Sequence, residues 1–146
     1  MSKLANDLHA ALTVARKSKD KDRTQLLGTV LAALKNREIE LKRAPTDDDT
    51  LEVLQKGVKL RREAVEQYAK AAREDLAERE RAEIRIIEEF LPPAADPEEI
   101  RAAVKAAIAA GAADIGKVMG RVAPQFKGRA DGKLIQQIVR AELSLG

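Results

Sequence analysis

The stretch IGKVMGRVAPQFKGRADGKLIQQIVRAEL, residues 115–143, decides how the last part of the chain folds. Its apolar residues recur at intervals of three and four, which is the spacing of a buried helix face. The pattern is interrupted between Pro124 and Asp131, so it predicts two short helices joined by a loop. The apolar positions are Ile115, Val118, Met119 and Val122 in the first helix and Leu134, Ile135, Ile138, Val139 and Leu143 in the second.

Proline and glycine shape the predicted loop. Pro124 removes a helical hydrogen bond, so it ends or kinks the first helix, and we expect Phe126 to pack back into the core. The alternative is an exposed Phe126 that stacks on an RNA base. Gly128 lets the chain reverse, and Asp131 is predicted to cap the last helix with Gly132 in its first turn.

Gly116 and Gly120 lie four residues apart and leave a bare strip on one face of the first helix. Such a strip serves one of two purposes. It lets another helix of the same chain pack closely, or it lets a foreign backbone or a phosphate group approach. The residue before this helix, Asp114, is its predicted cap.

Positive charge is concentrated in the same stretch. Residues 115–146 contain six of the 27 Lys and Arg but only two of the 24 Asp and Glu, a net charge of +4, whereas residues 1–114 have a net charge of −1. This asymmetry favours a nucleic acid or another polyanion as partner. The alternative is that the charge only keeps the protein soluble. Together with the N–H groups at the start of the last helix, the candidate anion-binding residues are Lys117, Arg121, Lys127, Arg129 and Lys133.

The rest of the chain predicts five more helices. The chain is 45% apolar, 35% charged and only 2% aromatic, which is typical of an all-α protein. Pro92 and Pro93 cannot continue a helix, and Asp96-Pro97 is a strong helix start. We therefore predict an all-α fold with an N-terminal bundle of about four helices at 1–91 and a three-helix tail domain at 94–146.

Several kinds of site are disfavoured by the sequence. The chain has no cysteine and one histidine, His9, so we expect no thiol chemistry, no metal and no cofactor. The acidic residues Glu83, Glu88 and Glu89 lie on a helix that also carries Arg79, Arg81 and Arg85, which favours a solvated charged face over an acid/base or two-metal site. No long apolar run and no secretory leader is present, so we expect no membrane contact, a cytoplasmic location and a monomer.

Several motifs together resemble the GatB/YqeY family over nearly the whole chain. They are Lys19–Arg23 (KDKDR), Ala32–Glu40 (AALKNREIE), the corner Arg73–Leu76 with Glu83-Ile84, Phe90–Pro92, Gly116–Gly120 (GKVMG) and Lys127–Lys133 (KGRADGK). On the basis of these motifs, the chain resembles a stand-alone YqeY-like protein. One departure is Ala72, where the family's corner often has glycine.

The resemblance implies an all-helical, two-domain protein related to the tail domain of the B subunit of tRNA-dependent amidotransferases. In those enzymes the tail helps to hold tRNA, so the resemblance implies a module that binds tRNA or another structured RNA. The family also has a label of glutamine-dependent carbon–nitrogen ligase activity. Nothing in the chain matches the catalytic domain, so we expect no autonomous enzyme. The alternative is an accessory module that binds a protein partner, with neither catalysis nor RNA binding.

Overall fold

The computed structural model describes residues 2–145, which form seven α-helices and one short 3-10 helix without any β-strand. The predicted all-α fold is confirmed. Met1 and Gly146, at the outer ends of the predicted domains, lie outside the described residues. The chain divides into two compact units, of which the first extends to Leu91 and the second begins at Pro92.

The first unit, called the bundle here, contains the helices α1 (Lys3–Lys17), α2 (Lys21–Leu41), α3 (Asp47–Lys70) and α4 (Glu74–Glu88). The second unit, called the tail domain, contains α5 (Pro97–Ala109), α6 (Ile115–Val122), the 3-10 helix (Ala123–Phe126) and α7 (Gly132–Leu145).

Short polar side chains set where the helices of the bundle begin. The Ser2 hydroxyl accepts a hydrogen bond from the Ala5 N–H at 3.0 Å, and Asp20 accepts one from the Arg23 N–H at 3.1 Å. Thr46 and Asp49 form a reciprocal capping box at the start of α3. Each cap satisfies an N–H group that has no partner within its helix, which is why these starts could be read from the sequence.

The corner between α3 and α4 has a backbone that favours glycine but contains alanine. Ala72 has a φ of +56°, in the left-handed region, and the Arg73 N–H donates to the Tyr68 carbonyl at 2.8 Å to close the turn. A Cβ in this region is crowded by the following carbonyl and costs about 1–2 kcal/mol. The departure from glycine therefore leaves the left-handed turn in place but strained.

The bundle is held together by an aliphatic core and by ion pairs between its helices. Leu8, Leu27, Leu54 and Ile87, one from each helix, are each 1% exposed. The pairs between helices, including the end of α4, are Arg23–Glu89 at 2.7 Å, Arg61–Glu83 at 2.8 Å, Arg37–Glu52 at 3.9 Å and Arg62–Glu88 at 3.9 Å.

The tail domain has a core of its own, built around α5, α6 and α7. Ile100, Val104, Val118, Val122 and Val139 are fully buried in it. Asp96 and Glu99 form a capping box at the start of α5, with Pro97 at the first helical position as predicted. These residues give the tail a scaffold on which one face of α6 is exposed to solvent.

Candidate nucleic-acid interface

Helix α6 is short and its two faces differ sharply. The Asp114 carboxylate accepts a hydrogen bond from the Lys117 N–H at 2.8 Å, so the predicted cap is confirmed. Val118 and Val122 face the core with no exposure, whereas Gly116 and Gly120 lie on the exposed surface. Of the apolar positions predicted for this helix, Val118 and Val122 are buried and Met119 is half-buried, whereas Ile115 in its first turn is 36% exposed.

The exposed glycines of α6 do not serve packing within the described part of the chain. A Cβ added at Gly120 would meet no atom within 4 Å, and one at Gly116 would meet only the Asp114 carboxylate at 3.4 Å. Glycine inside a helix costs about 1 kcal/mol relative to alanine. Of the two predicted purposes, close packing against another helix of the tail domain is thereby excluded for both glycines.

Two cations lie beside this glycine strip. Lys117 is 71% exposed at its side chain, and its Nζ is 4.0 Å from Asp114 Oδ2, the limit of an ion pair. Arg121 follows one turn later, and its Nη1 lies 3.4 Å from the Ala110 carbonyl oxygen, which is a long hydrogen bond. Both heads remain accessible to an anion that approaches the strip.

Arg129 is anchored within the tail domain. Its Nε donates to the Pro93 carbonyl at 3.1 Å, and its Nη2 lies 3.1 and 3.2 Å from the two carboxylate oxygens of Glu99. The guanidinium carbon lies 5.8 Å from the centre of the Phe126 ring. The Arg129 carbonyl also accepts from the Ala95 N–H at 2.8 Å. Arg129 thus fastens the loop to the start of the tail domain.

The loop itself has the shape that the sequence predicted. Gly128 has a φ of +80°, which reverses the chain, and α6 ends at Val122 just before Pro124. Phe126 is 5% exposed and belongs to the core of the tail domain. The prediction of a packed Phe126 is confirmed, and base stacking on an exposed Phe126 is excluded. Lys127 is half-buried between Phe126 and the reversal.

The start of α7 carries its own negative group. The Asp131 carboxylate accepts a hydrogen bond from the Lys133 N–H at 3.0 Å, as predicted for a cap. One of the N–H groups that were expected to receive an anion is therefore already bonded to a carboxylate. The Arg129 guanidinium is engaged with Glu99, so the loop does not bring Arg129 and this helix start together as a single open anion site.

The sequence interpretation missed an exposed ridge on α7. Lys133, Gln137 and Arg140 are exposed at spacings of four and three residues, which places them on one helix face. Neither Lys133 nor Arg140 forms an ion pair with another described residue. The sequence shows the same spacing, but the prediction for α7 used its apolar face and not the polar face opposite it.

The structure offers no evident site for a metal. Among residues 2–145, no group of three or more His, Asp or Glu side chains is placed to hold an ion. His9 lies on the exposed side of α1. Within the same residues, no helix combines the length and the apolar character that crossing a bilayer requires.

Comparison with protein families supports the resemblance drawn from the motifs. The family model described as YqeY-like protein matches residues 2–143. The chain belongs to the YqeY-like protein family. The match covers both the bundle and the tail domain, so the family is defined by the two units together.

The names of the curated relatives say little about function. An uncharacterized protein of Schizosaccharomyces pombe is 41% identical over 76 residues, which are 52% of this chain and 62% of that protein. Altered inheritance of mitochondria protein 41, mitochondrial, of Pyrenophora tritici-repentis is 32% identical over 92% of this chain and 80% of that protein. The same-named protein of Kluyveromyces lactis is 35% identical over 69% of this YqeY-like chain, which spans 54% of its length.

The prediction of a cytoplasmic location is wrong on these comparisons. Four of the relatives carry names that place them in mitochondria. The prediction rested on the absence of an apolar run and of a secretory leader. Neither absence specifies a compartment, because many destinations require no apolar segment.

Proposed function

We propose that this YqeY-like protein is an RNA-binding module whose tail domain holds tRNA or another structured RNA. The observation that carries the proposal is the exposed strip of Gly116 and Gly120 beside Lys117 and Arg121. A helix face without side chains lets a sugar–phosphate backbone come close, and the neighbouring cations supply the attraction. The resemblance to the tRNA-holding tail of amidotransferases points to the same ligand.

The cations of the tail divide into two groups under this proposal. Lys117, Arg121 and Lys133 contact phosphate, and Arg140 extends the ridge on α7. Arg129 acts on the fold, because its guanidinium is engaged with Pro93 and Glu99. Lys127 remains a candidate for a contact at the edge of the loop. Such contacts fix position without reading sequence, so we expect binding with a strong dependence on salt.

The test is the affinity for deacylated tRNA, measured by fluorescence anisotropy at several salt concentrations. The variant Lys117→Ala/Lys133→Ala should bind more weakly, and its slope of log K against log salt should fall by about 2, since each lost phosphate contact removes about 1. The control is Lys59→Ala/Lys70→Ala, which removes two exposed lysines from the bundle. Equal slopes for the two variants, or salt-independent binding by the wild type, would contradict the proposal.

We propose further that the family's carbon–nitrogen ligase label reflects kinship, and that this chain has no autonomous catalysis. The described residues contain no thiol nucleophile and no assembled metal site on which such a reaction could depend. The purified protein should therefore not convert Glu-tRNA to Gln-tRNA with glutamine and ATP. Formation of Gln-tRNA in that assay is the result that would overturn this part of the proposal.

A protein-interaction module is the second candidate, and one feature of α5 favours it. Ala102, Ala106 and Ala109 are exposed at spacings of four and three, so a second face of small residues lies open in the tail domain. A partner helix could pack closely there. Co-purification of a protein that survives RNase treatment, together with no affinity for tRNA, is the outcome that distinguishes this candidate.

A further inference from the structure

A groove in the bundle has no role in the proposed binding of RNA. It lies between α2 and α3 and has a volume of about 620 Å³. Val30, Leu54 and Ile87 contribute to its lining from three different helices. Leu60 at its edge is 54% exposed, which is unusual for a large aliphatic side chain.

The wall on α2 consists of residues from the family motif at residues 32–40. Ala33, Asn36, Arg37 and Glu40 all line the groove, and their spacing of three, four and seven places them on one helix face. The small side chain of Ala33 keeps this wall open. Between Thr29 and Glu40 the groove follows α2 for about 16 Å, or three helical turns.

The wall on α3 is kept open by Gly57. A Cβ at this position would lie 3.3 Å from Arg61 Nη1 and 3.6 Å from Ile87 Cδ1. Arg61 cannot easily move aside, because its Nε contacts Glu83 at 2.8 Å and its Nη1 donates to the Gly57 carbonyl at 3.1 Å. Glycine here preserves both the groove and the ion pair beneath it.

The charges along the groove favour a protein over a nucleic acid. Arg37 is paired with Glu40 at 3.1 Å and with Glu52 at 3.9 Å, and both carboxylates line the groove. Arg61, which also lines the groove, is paired with Glu83 at 2.8 Å, so the phosphates of a nucleic acid would meet a single cation that has no ion pair. Lys56 also lines the groove, and it forms no ion pair with any other residue in 2–145. A partner that fits this pattern offers aliphatic side chains and a carboxylate.

We propose that this groove binds an amphipathic helix of a partner protein. Aliphatic side chains at intervals of three and four pack on Ala33, Val53 and Leu60, which line the groove and reach the surface, and an acidic residue of the partner pairs with Lys56. This is the familiar geometry of a helix laid into a groove between two helices. The inference is independent of the proposed RNA site, because it uses no residue of the tail domain.

The probe for the test is a synthetic peptide of about 16 residues, held helical by a side-chain lactam so that ordering does not mask binding. Leucines at intervals of three and four form one face, and glutamates form the other. The full-length protein should bind this peptide saturably in fluorescence anisotropy. The same peptide with lysine in place of each glutamate should bind at least about tenfold more weakly, because Lys56 then faces like charge.

Two pairs of variants locate the binding site. Ala33→Trp fills the groove and should weaken binding at least about tenfold, whereas Ala32→Trp, on the neighbouring exposed position outside the groove, should leave binding unchanged. Lys56→Glu should weaken binding about threefold to tenfold, whereas Lys59→Glu on the same helix should change it less than twofold. Thermal unfolding verifies that each variant is folded.

Several outcomes would overturn the inference. Equal affinities of the Ala33→Trp and Ala32→Trp variants would show that the peptide does not enter the groove. Preference for the lysine peptide would refute the assigned charge. Competition by an oligouridylate that Ala33→Trp abolishes would assign the groove to RNA. Absence of saturable binding to the wild type also counts against the proposal.

Discussion

The bundle and the tail domain use their cations differently. In the bundle, arginines join neighbouring helices to glutamates, as in Arg61–Glu83 and Arg23–Glu89. The tail domain has a pair of the same kind, Arg101–Glu142 at 3.2 Å between α5 and α7, while Asp131 caps α7. Cations such as Lys133 and Arg140 are then left without an ionic partner among the described residues. The net charges of the two units are nearly equal, +1 for residues 1–91 and +2 for residues 92–146, so the pairing of individual side chains decides which cations are available.

The largest expected effect tests whether the two units are independent in stability. Phe126→Ala removes a ring from the core of the tail and should destabilise that domain by about 3–5 kcal/mol, while the bundle keeps its midpoint. Tyr68 is the only tyrosine in a chain without tryptophan, so its fluorescence reports on the bundle alone. Hydrogen exchange at residues 115–145 reports on the tail.

The matched variant for this comparison is Leu54→Ala in the bundle. It should destabilise the bundle by about 2–5 kcal/mol and shift the Tyr68 transition, with the exchange of the tail unchanged. If both variants shift both signals equally, then the two units unfold as one and the comparison between them fails for stability.

The second effect is the difference in stability between removing Arg129, which anchors the loop, and removing the exposed Arg140. Arg129→Ala should cost about 1 kcal/mol, because the Pro93 carbonyl and the Glu99 carboxylate lose a charged donor that water replaces only in part. Arg140→Ala should stay within about 0.5 kcal/mol of the wild type, since Arg140 is exposed and unpaired in the described residues. Urea unfolding followed by circular dichroism measures both. Equal costs would mean that the loop does not depend on Arg129.

The third effect concerns a glycine inside a helix, Gly120, and an alanine in a left-handed turn, Ala72. Gly120→Ala should stabilise the tail by up to about 1 kcal/mol, because the added methyl group meets nothing and the helix gains propensity. Ala72→Gly should stabilise the bundle by about 1 kcal/mol, because Ala72 has a φ of +56°. Thermal unfolding tests both changes. Loss of stability in Gly120→Ala would mean that the glycine serves the fold after all.

The smallest effect is the response of the bundle to acid. A hydrogen bond from the Arg43 guanidinium, assisted by the Thr46 N–H, holds the pKa of Asp49 well below its usual range. A carboxylate with a lowered pKa stabilises the fold fully above the usual Asp pKa of about 3.9, and this contribution is lost as the pH falls from there toward the lowered value. Asp49→Asn should flatten the change in the urea midpoint of the Tyr68 signal between about pH 4 and pH 2. An unchanged pH dependence would rule out this role.

Much of the fold was predictable because its signals are local. Ser2, Asp114 and the Asp96-Pro97 pair act within one helical turn, so each helix start could be read from a few adjacent residues. Gly128 and Pro124 likewise act on their own backbone. These devices predict helices without knowledge of what the helices pack against.

The site was less predictable because its partners are distant in the chain. Arg129 meets Glu99 across 30 positions, and nothing in the sequence distinguishes it from Lys133, whose side chain forms no ion pair within residues 2–145. The groove depends on how α2 and α3 are aligned along each other, which no sequence motif indicates. Gly57 in particular reads as a weak point in a helix until Arg61 and Ile87 are seen beside it.

The most direct test of the contrast between bundle and tail is a map of contacts on the intact protein. The wild-type chain is irradiated with ultraviolet light while bound to tRNA, and mass spectrometry identifies the crosslinked peptides. The prediction is that crosslinks fall within residues 115–145, near Lys117, Arg121 and Lys133, and that they vanish in Lys117→Ala/Lys133→Ala. Crosslinks confined to the bundle, or an unchanged pattern in the double variant, would contradict the assignment of RNA binding to the tail domain.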